Sequence, residues 1–219
     1  MVARCELAGR RAVCVRPLPR LLAFTDDRIA QLDDLGVRAA AIAAGGPAVA
    51  LVARLPGGSA DQLSALALRL LALTAPPMAS LFVTGRADVA LAVRATGVIL
   101  RKDDLAVRDV RALGGGHVFR SVHSLAEAGA AVAEGADALV VGSIWTSASH
   151  PDRAPAGTEL LREIVSLRCP TYAIGGVTAD RAIEAREAGA WGVAAIGAVW
   201  DAGSPYQATM DILEKWSAV

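Results

Sequence analysis

The chain of 219 residues carries no net charge, because 22 lysines and arginines balance 22 aspartates and glutamates. Without a field of one sign, long-range attraction to nucleic acid or an anionic membrane is not available. Aromatic residues make up only 4% of the chain, and no basic patch interleaves with them, which removes the usual signature of nucleic-acid recognition. Cysteine is scarce. Cys5, Cys14 and Cys169 have no C-x-x-C spacing and no nearby histidine pair, so they frame neither a disulfide scaffold nor a zinc site and read as packing residues in a reducing cytosol. Long apolar runs are also missing. AAAIAAGGPAVALVA is broken by glycine and proline before it could span a bilayer, and the charges throughout MVARCELAGRRAVCVRPLPR leave no place for a signal peptide. These absences point to a soluble, cytoplasmic protein whose partner is a small molecule, and they leave self-association open.

What is present is an alternation. The apolar runs 21–25, 49–53, 80–84, 97–100, 117–122, 138–144, 170–174 and 192–196 are separated by segments of helical periodicity, such as SADQLSALALRLLAL and GTELLREIVSL. Runs that are apolar throughout indicate parallel strands covered on both faces. Eight such units in one α/β domain predict a single (β/α)8 TIM barrel, with an open doubly wound sheet as the alternative. Residues 1–20 fit no unit and read as a short N-terminal extension, with the barrel occupying 21–219. Segment 27–47 predicts a short or bent first helix. Ser124 and Thr178 stand at N-cap positions, with Glu127 completing a capping box and Asp180 in the first turn of the later helix.

In such a barrel the loops after the strands form the functional face, and the ends of the seventh and eighth strands commonly hold a phosphate. Gly175 and Gly176 follow the seventh run, and Ile196 and Gly197 end the eighth. Glycine lets main-chain amides converge on an anion without a lysine, and a helix starting near Gly197 would add favourable partial charge. These four residues are the expected phosphate-binding set.

The ordered motifs LLAFTDD, TGRADVALAV, RSVHSLAEA, EGADALVVGSIW, APAGTELLREI, AIGGVT and AGAWGVAAI resemble the thiamine phosphate synthase and TenI superfamily over roughly residues 21–200. The resemblance implies one of two activities. The synthases join a pyrimidine diphosphate to a thiazole phosphate with magnesium. Their arginine–glutamate–lysine motif falls on Arg54-Leu55-Pro56, and their asparagine–aspartate pair, whose aspartate binds magnesium, falls on Thr84-Gly85. Their second metal aspartate falls on Asp104, and a threonine-rich loop ending in lysine falls on Ser147-Ala148-Ser149-His150. The TenI-type tautomerases move protons on a thiazole phosphate carboxylate without metal. Their asparagine–glycine–arginine motif is met better by Thr84-Gly85-Arg86, but their proton-transferring histidine falls on Ser143.

Two lysines and one metal carboxylate of the synthases are thus absent, and this tips the expectation toward a TenI-like protein that binds a thiazole phosphate and acts as a thiazole tautomerase, an isomerase. The alternatives are a divergent synthase and a non-catalytic thiamine-precursor-binding or regulatory protein. His150, Ser143 and His123 are the candidate catalytic groups, imidazole being suited to proton transfer near neutral pH. Arg54, Thr84, Ser121, Ser147 and Ser149 are the candidate substrate contacts, and Trp145 is positioned to lie against a flat heterocycle. Arg86 is either a carboxylate ligand or the partner of Asp88. No cofactor is expected unless the chain is synthase-like, in which case magnesium would fall to Asp104. His117, at the opposite end of its strand, reads as a surface residue.

Overall fold

The computed structural model describes residues 17–74, 78–147 and 154–217. Eight strands, β1 (Leu21–Phe24), β2 (Val49–Ala53), β3 (Ser80–Thr84), β4 (Gly97–Leu100), β5 (His117–Val122), β6 (Ala138–Gly142), β7 (Thr171–Ile174) and β8 (Gly192–Ala195), correspond to the eight apolar runs. Each pairs in parallel with the next, and β8 pairs with β1, so the sheet closes without an edge. The architecture is a (β/α)8 barrel.

Ten helices accompany the strands among the described residues: α1 (Asp27–Ala30), α2 (Leu35–Ala43), α3 (Ala60–Leu71), α4 (Ala87–Ala92), α5 (Val107–Ala112), α6 (Leu125–Ala133), α7 (Gly157–Val165), α8 (Ala179–Glu187), α9 (Gly197–Trp200) and α10 (Pro205–Ser217). The 27–47 segment divides into α1 and α2 at residues 31–34, and the glycines and proline at 45–47 follow the end of α2. Ser124 Oγ accepts the Glu127 amide and Thr178 Oγ1 accepts the Arg181 amide, so both act as N-caps. The Glu127 carboxylate, however, accepts the amide of His123 rather than that of Ser124, so the expected capping box is displaced by one residue. A full box is found instead at Ser59 and Gln62, at the start of α3.

The strands are apolar throughout because alternate residues enter two different cores. Leu21, Leu51, Leu81, Leu139 and Val193 face outward to the helices, whereas Leu22, Val52, Phe82, Phe119, Val140 and Tyr172 fill the barrel interior. The interior is held by a pile of rings, with Phe82 and Phe119 centroids 4.7 Å apart and Phe119 and Tyr172 centroids 5.5 Å apart. At the amino ends of the strands, Tyr172 Oη and Trp191 Nε1 both donate to the Pro19 carbonyl, and Arg20 lies over the Trp191 ring. These contacts close the barrel interior at its lower end.

His117 is not the surface residue its position suggested. It is 8% exposed, its ring lies among Phe82 and Phe119, and its Nδ1 is 3.8 Å from the Asp137 carboxylate. Burial raises the Asp137 carboxyl, but hydrogen bonds from His117, the Val118 amide and Arg111 outweigh it and hold the group below its ordinary value. His117 thus helps to fasten β5 to the loop before β6.

Candidate active site at the carboxyl ends of the strands

All eight strands run the same way, so their carboxyl ends share one rim, where a cavity of about 880 Å³ opens. A smaller hollow of about 450 Å³ lies where β4 and β5 begin, against α4, and its walls are mostly apolar side chains and glycines. Only the rim cavity gathers cations, hydroxyls and glycine turns from many strands, which is what a binding site requires.

One side of the cavity is made by the ends of β7 and β8. Gly175 and Gly176 have φ of +96° and +67°, a region that side chains rarely adopt. Space forbids a side chain as well, because a Cβ on Gly175 would lie 2.1 Å from Ser143 Oγ and one on Gly176 would lie 2.3 Å from the Thr146 carbonyl. The carbonyls of the two glycines are engaged by the Trp145 amide and by Arg181 Nη1. Their amides have no acceptor among the described residues. Ile196 and Gly197 line the same side, and Gly197 opens α9, whose first amides have no acceptor within the helix. The four glycine-loop residues read from the sequence thus come together at one pole of the cavity.

Two residues that the motifs did not suggest complete this pole. Asp201, at the end of α9, has a carboxylate oxygen 2.8 Å from where a Gly197 Cβ would stand. An acid there would repel an anion, but Arg28 meets it with two hydrogen bonds of 2.8 and 2.9 Å. The signal for this pair lay in the end-to-end closure of the barrel, which sets α1 beside α9, and no local motif carries it.

The opposite side is cationic. In an eight-stranded barrel β3 and β4 lie across from β7 and β8. Arg54 follows β2, lines the cavity half-buried, and its guanidinium has no hydrogen-bond partner among the described residues. Burial pushes its pKa down while Asp26 and Asp27 pull it up, and a guanidinium remains charged in either case. Its backbone is pinned by Thr25, whose Oγ1 accepts the Arg54 amide and donates to the Arg54 carbonyl. Thr84, at the end of β3, is 8% exposed and its hydroxyl is likewise without a partner. Arg101, Lys102, Ser121 and the acidic Asp103 also line this side.

The candidate acid–base groups fall out differently. Ser143 lies in the cavity wall, with its carbonyl accepting the Ala156 amide. His123 lies on the rim, where its amide donates to Glu127 and its Nδ1 is 3.5 Å from the same carboxylate. Ser147 lines the cavity, whereas Ser149 and His150 lie outside the described residues. Trp145 does not face the cavity. Its indole donates to Glu184 on α8 and lies under Arg181, so the loop turns it outward to pack against the next helix. Arg86 is bound by Asp88 through Nε and Nη2 and lies off the cavity, and this pairing holds Asp88 at a pKa of about 2.

The donor set for magnesium does not fit. Gly85 offers no ligand, and the space a side chain would need is filled by Arg101, whose Nη2 lies 2.9 Å from the would-be Cβ. The Asp104 carboxylate is taken by the Arg101 amide, Nε and Nη2 at 2.5, 3.2 and 3.0 Å. Among the described residues no group of three or more histidine, cysteine or acidic side chains could hold a metal ion.

Fold and rim together define a (β/α)8 barrel with a two-sided ligand cavity at the carboxyl ends of its strands. The thiamine monophosphate synthase and TenI family model matches residues 21–199, and the chain belongs to that family. It is 36% identical over 185 residues to a thiamine-phosphate synthase of Marinobacter nauticus, covering 83% of both chains. A Synechococcus thiamine-phosphate synthase is 39% identical over 135 residues, and the match spans 60% of this chain but only 38% of that longer protein. Among solved structures, a thiamine phosphate pyrophosphorylase from Pyrococcus furiosus superposes with a TM-score of 0.78 and 33% identity, covering 90% of this chain and 95% of the other. The relatives are named as synthases, and none of these comparisons supports the isomerase activity that the sequence motifs favoured. No helix among the described residues is long and apolar enough to cross a membrane.

Proposed function

We propose that the chain joins a pyrimidine diphosphate to a thiazole phosphate, as a thiamine-phosphate synthase, and not that it isomerises the thiazole. The observation that carries this reading is the presence of two anion-compatible poles in one cavity. A tautomerase needs a phosphate site, which the Gly175–Gly176 and Ile196–Gly197 amides would supply, and a contact for a single carboxylate. The synthase reading also gives a role to Arg54, Arg101 and the unpartnered Thr84 hydroxyl across the cavity, which would take the diphosphate.

In this reaction the thiazole nitrogen lone pair forms a bond to the exocyclic methylene carbon of the pyrimidine. The bond from that carbon to the diphosphate oxygen breaks, and its electron pair leaves with the pyrophosphate. The residues at the glycine pole bind and orient the thiazole phosphate. Those at the cationic pole face the charge that grows on the leaving oxygen, where fixed donors in a shielded site are most effective. Ser121 and Ser143, which also line the cavity, are assigned to orienting the heterocycles. No protein acid or base is needed for the bond exchange, which accords with the engagement of His123 by Glu127.

The test is to incubate the purified full chain with both substrates, with magnesium and separately with a chelator, and to measure thiamine phosphate and pyrophosphate. Equal amounts of the two products in either condition support the proposal. Binding of thiazole phosphate with no pyrophosphate release in both conditions would overturn it and return the tautomerase or the non-catalytic binder to first place.

A further inference from the structure

The carboxylate expected to bind a metal at position 85 is a glycine here, and Arg101 has moved into the space. Its guanidinium lies against Gly85 on one side and is fastened on the other by Asp104, through Nε and Nη2. The Asp104 carboxylate also accepts the Arg101 amide, so it fixes the side chain and the backbone that carries it together. An arginine has five N–H donors in a fixed fork. Two of them go to Asp104, and Nη1 is left with both of its hydrogens. The Thr84 hydroxyl, which lines the same cavity, is more than nine-tenths buried and has no partner. Arg54, also without a side-chain partner among the described residues, borders the same part of the cavity.

We infer that Arg101, locked between Gly85 and Asp104, is a built-in cation that takes the place of a divalent metal at the diphosphate pole, so that this site binds pyrophosphate without metal. The inference rests on the two-pole reading of the cavity. The arrangement is self-consistent on charge. A metal needs a surplus of carboxylates to hold it, whereas here Asp104 is already neutralised by Arg101, and Asp103 and Asp26, which also line the cavity, stand among Lys102 and Arg54. A dication entering this pole would meet the guanidinium groups of Arg54 and Arg101, and among the described residues no group of three acidic side chains that could hold it. A diphosphate would meet the Arg101 fork, Arg54 and the Thr84 hydroxyl, all of which can donate to it. The absent aspartate and the bound Asp104 are therefore two halves of one change: the loss of the acid at position 85 made the room that Arg101 fills.

The experiment is isothermal titration of the full chain with inorganic pyrophosphate in the presence of a chelator and in excess magnesium. The expected result is binding in the chelator, weakened at least tenfold by Arg101→Ala and less by Arg101→Lys, which keeps the charge but loses the fork. Arg101 is largely exposed, and unchanged circular dichroism and melting midpoint would establish that the variants fold. Binding that appears only with magnesium, or that Arg101→Ala leaves unchanged, would overturn the inference. This outcome is separable from that of the synthase assay. Metal-free pyrophosphate binding without product formation would uphold Arg101 and sink the synthase, and product formation with strictly magnesium-dependent pyrophosphate binding would do the reverse.

Discussion

Replacing Gly176 with alanine is the sharpest probe of the glycine pole, because two separate effects can be worked from the structure. A residue other than glycine at φ +67° costs about 1–2 kcal/mol in backbone strain. The new methyl group would also stand 2.3 Å from the Thr146 carbonyl, and ordinary contact begins at 3.4 Å, so the two must separate by 1.1 Å (3.4 − 2.3). Thr146 belongs to the loop that donates the Trp145 amide to Gly175, so the shift would move the cradle and not merely the methyl group. A displacement of that size breaks a hydrogen bond to phosphate, and a bond to a charged group contributes about 1.5–3 kcal/mol. Binding of thiazole phosphate, measured by calorimetry, should therefore weaken by about ten- to a hundredfold. The melting temperature should fall by several degrees, at roughly 2–4 °C per kcal/mol for a chain of this size. A variant that melts lower but binds thiazole phosphate within twofold of the parent would refute the reasoning, since the strain would be present and the cradle would not matter.

Gly129→Ala is the matched control. Gly129 lies within α6 with nothing within 4 Å of a new Cβ, so the change should raise stability by about 0.5–1 kcal/mol and leave binding unaltered, as read by thermal melts and titration. Asp137→Asn removes the charged acceptor for Arg111 and the Val118 amide and should lower stability by about 1–2 kcal/mol near neutral pH. The folded pKa of Asp137 lies below its ordinary 3.8, so its contribution is complete above that value and fades as the pH falls through the folded value. Urea melts of parent and variant should accordingly converge below about pH 4, and a gap that widened in acid would contradict the assignment. Tyr172→Phe deletes one of the two donors to the Pro19 carbonyl, with Trp191 still in place, and should cost only about 0.5–1 kcal/mol with no change in ligand binding.

The fold was legible because each strand is buried on both faces and each helix is not. Runs such as Val49–Ala53 and Ala138–Gly142 are apolar without interruption, and the spacing between them left room for one helix each. The glycine pole was legible for a related reason: Gly175, Gly176 and Gly197 stand at strand ends, where a backbone requirement shows directly as a residue type. What the sequence hid was pairwise. His117 looked exposed because it starts its strand at the end remote from the site, and its partner, Asp137, is not legible from that position. Trp145 looked like a ligand platform because periodicity does not reveal that the loop after β6 turns it toward Glu184. Arg28 and Asp201 are 173 positions apart, and only closure of the barrel brings them together.

The same distinction bears on the cationic pole. Matching residues position by position counted lost charges, at Pro56, Gly85 and His150, and tipped the expectation away from the synthases. Charge stabilisation depends on where donors point when the transition state forms, not on which strand supplies them. The vacancy at Gly85 and the cation at Arg101 are separated in sequence by a helix and a strand, α4 and β4, and they meet because parallel neighbours in a barrel deliver their loops to the same rim. The two poles also differ in kind for a physical reason. A phosphate that is only held can be satisfied by neutral amides, Arg28 at that pole being paired with Asp201, whereas a group whose charge increases during reaction gains from full charges fixed in place, such as Arg54 and Arg101 at the pole assigned to the leaving group.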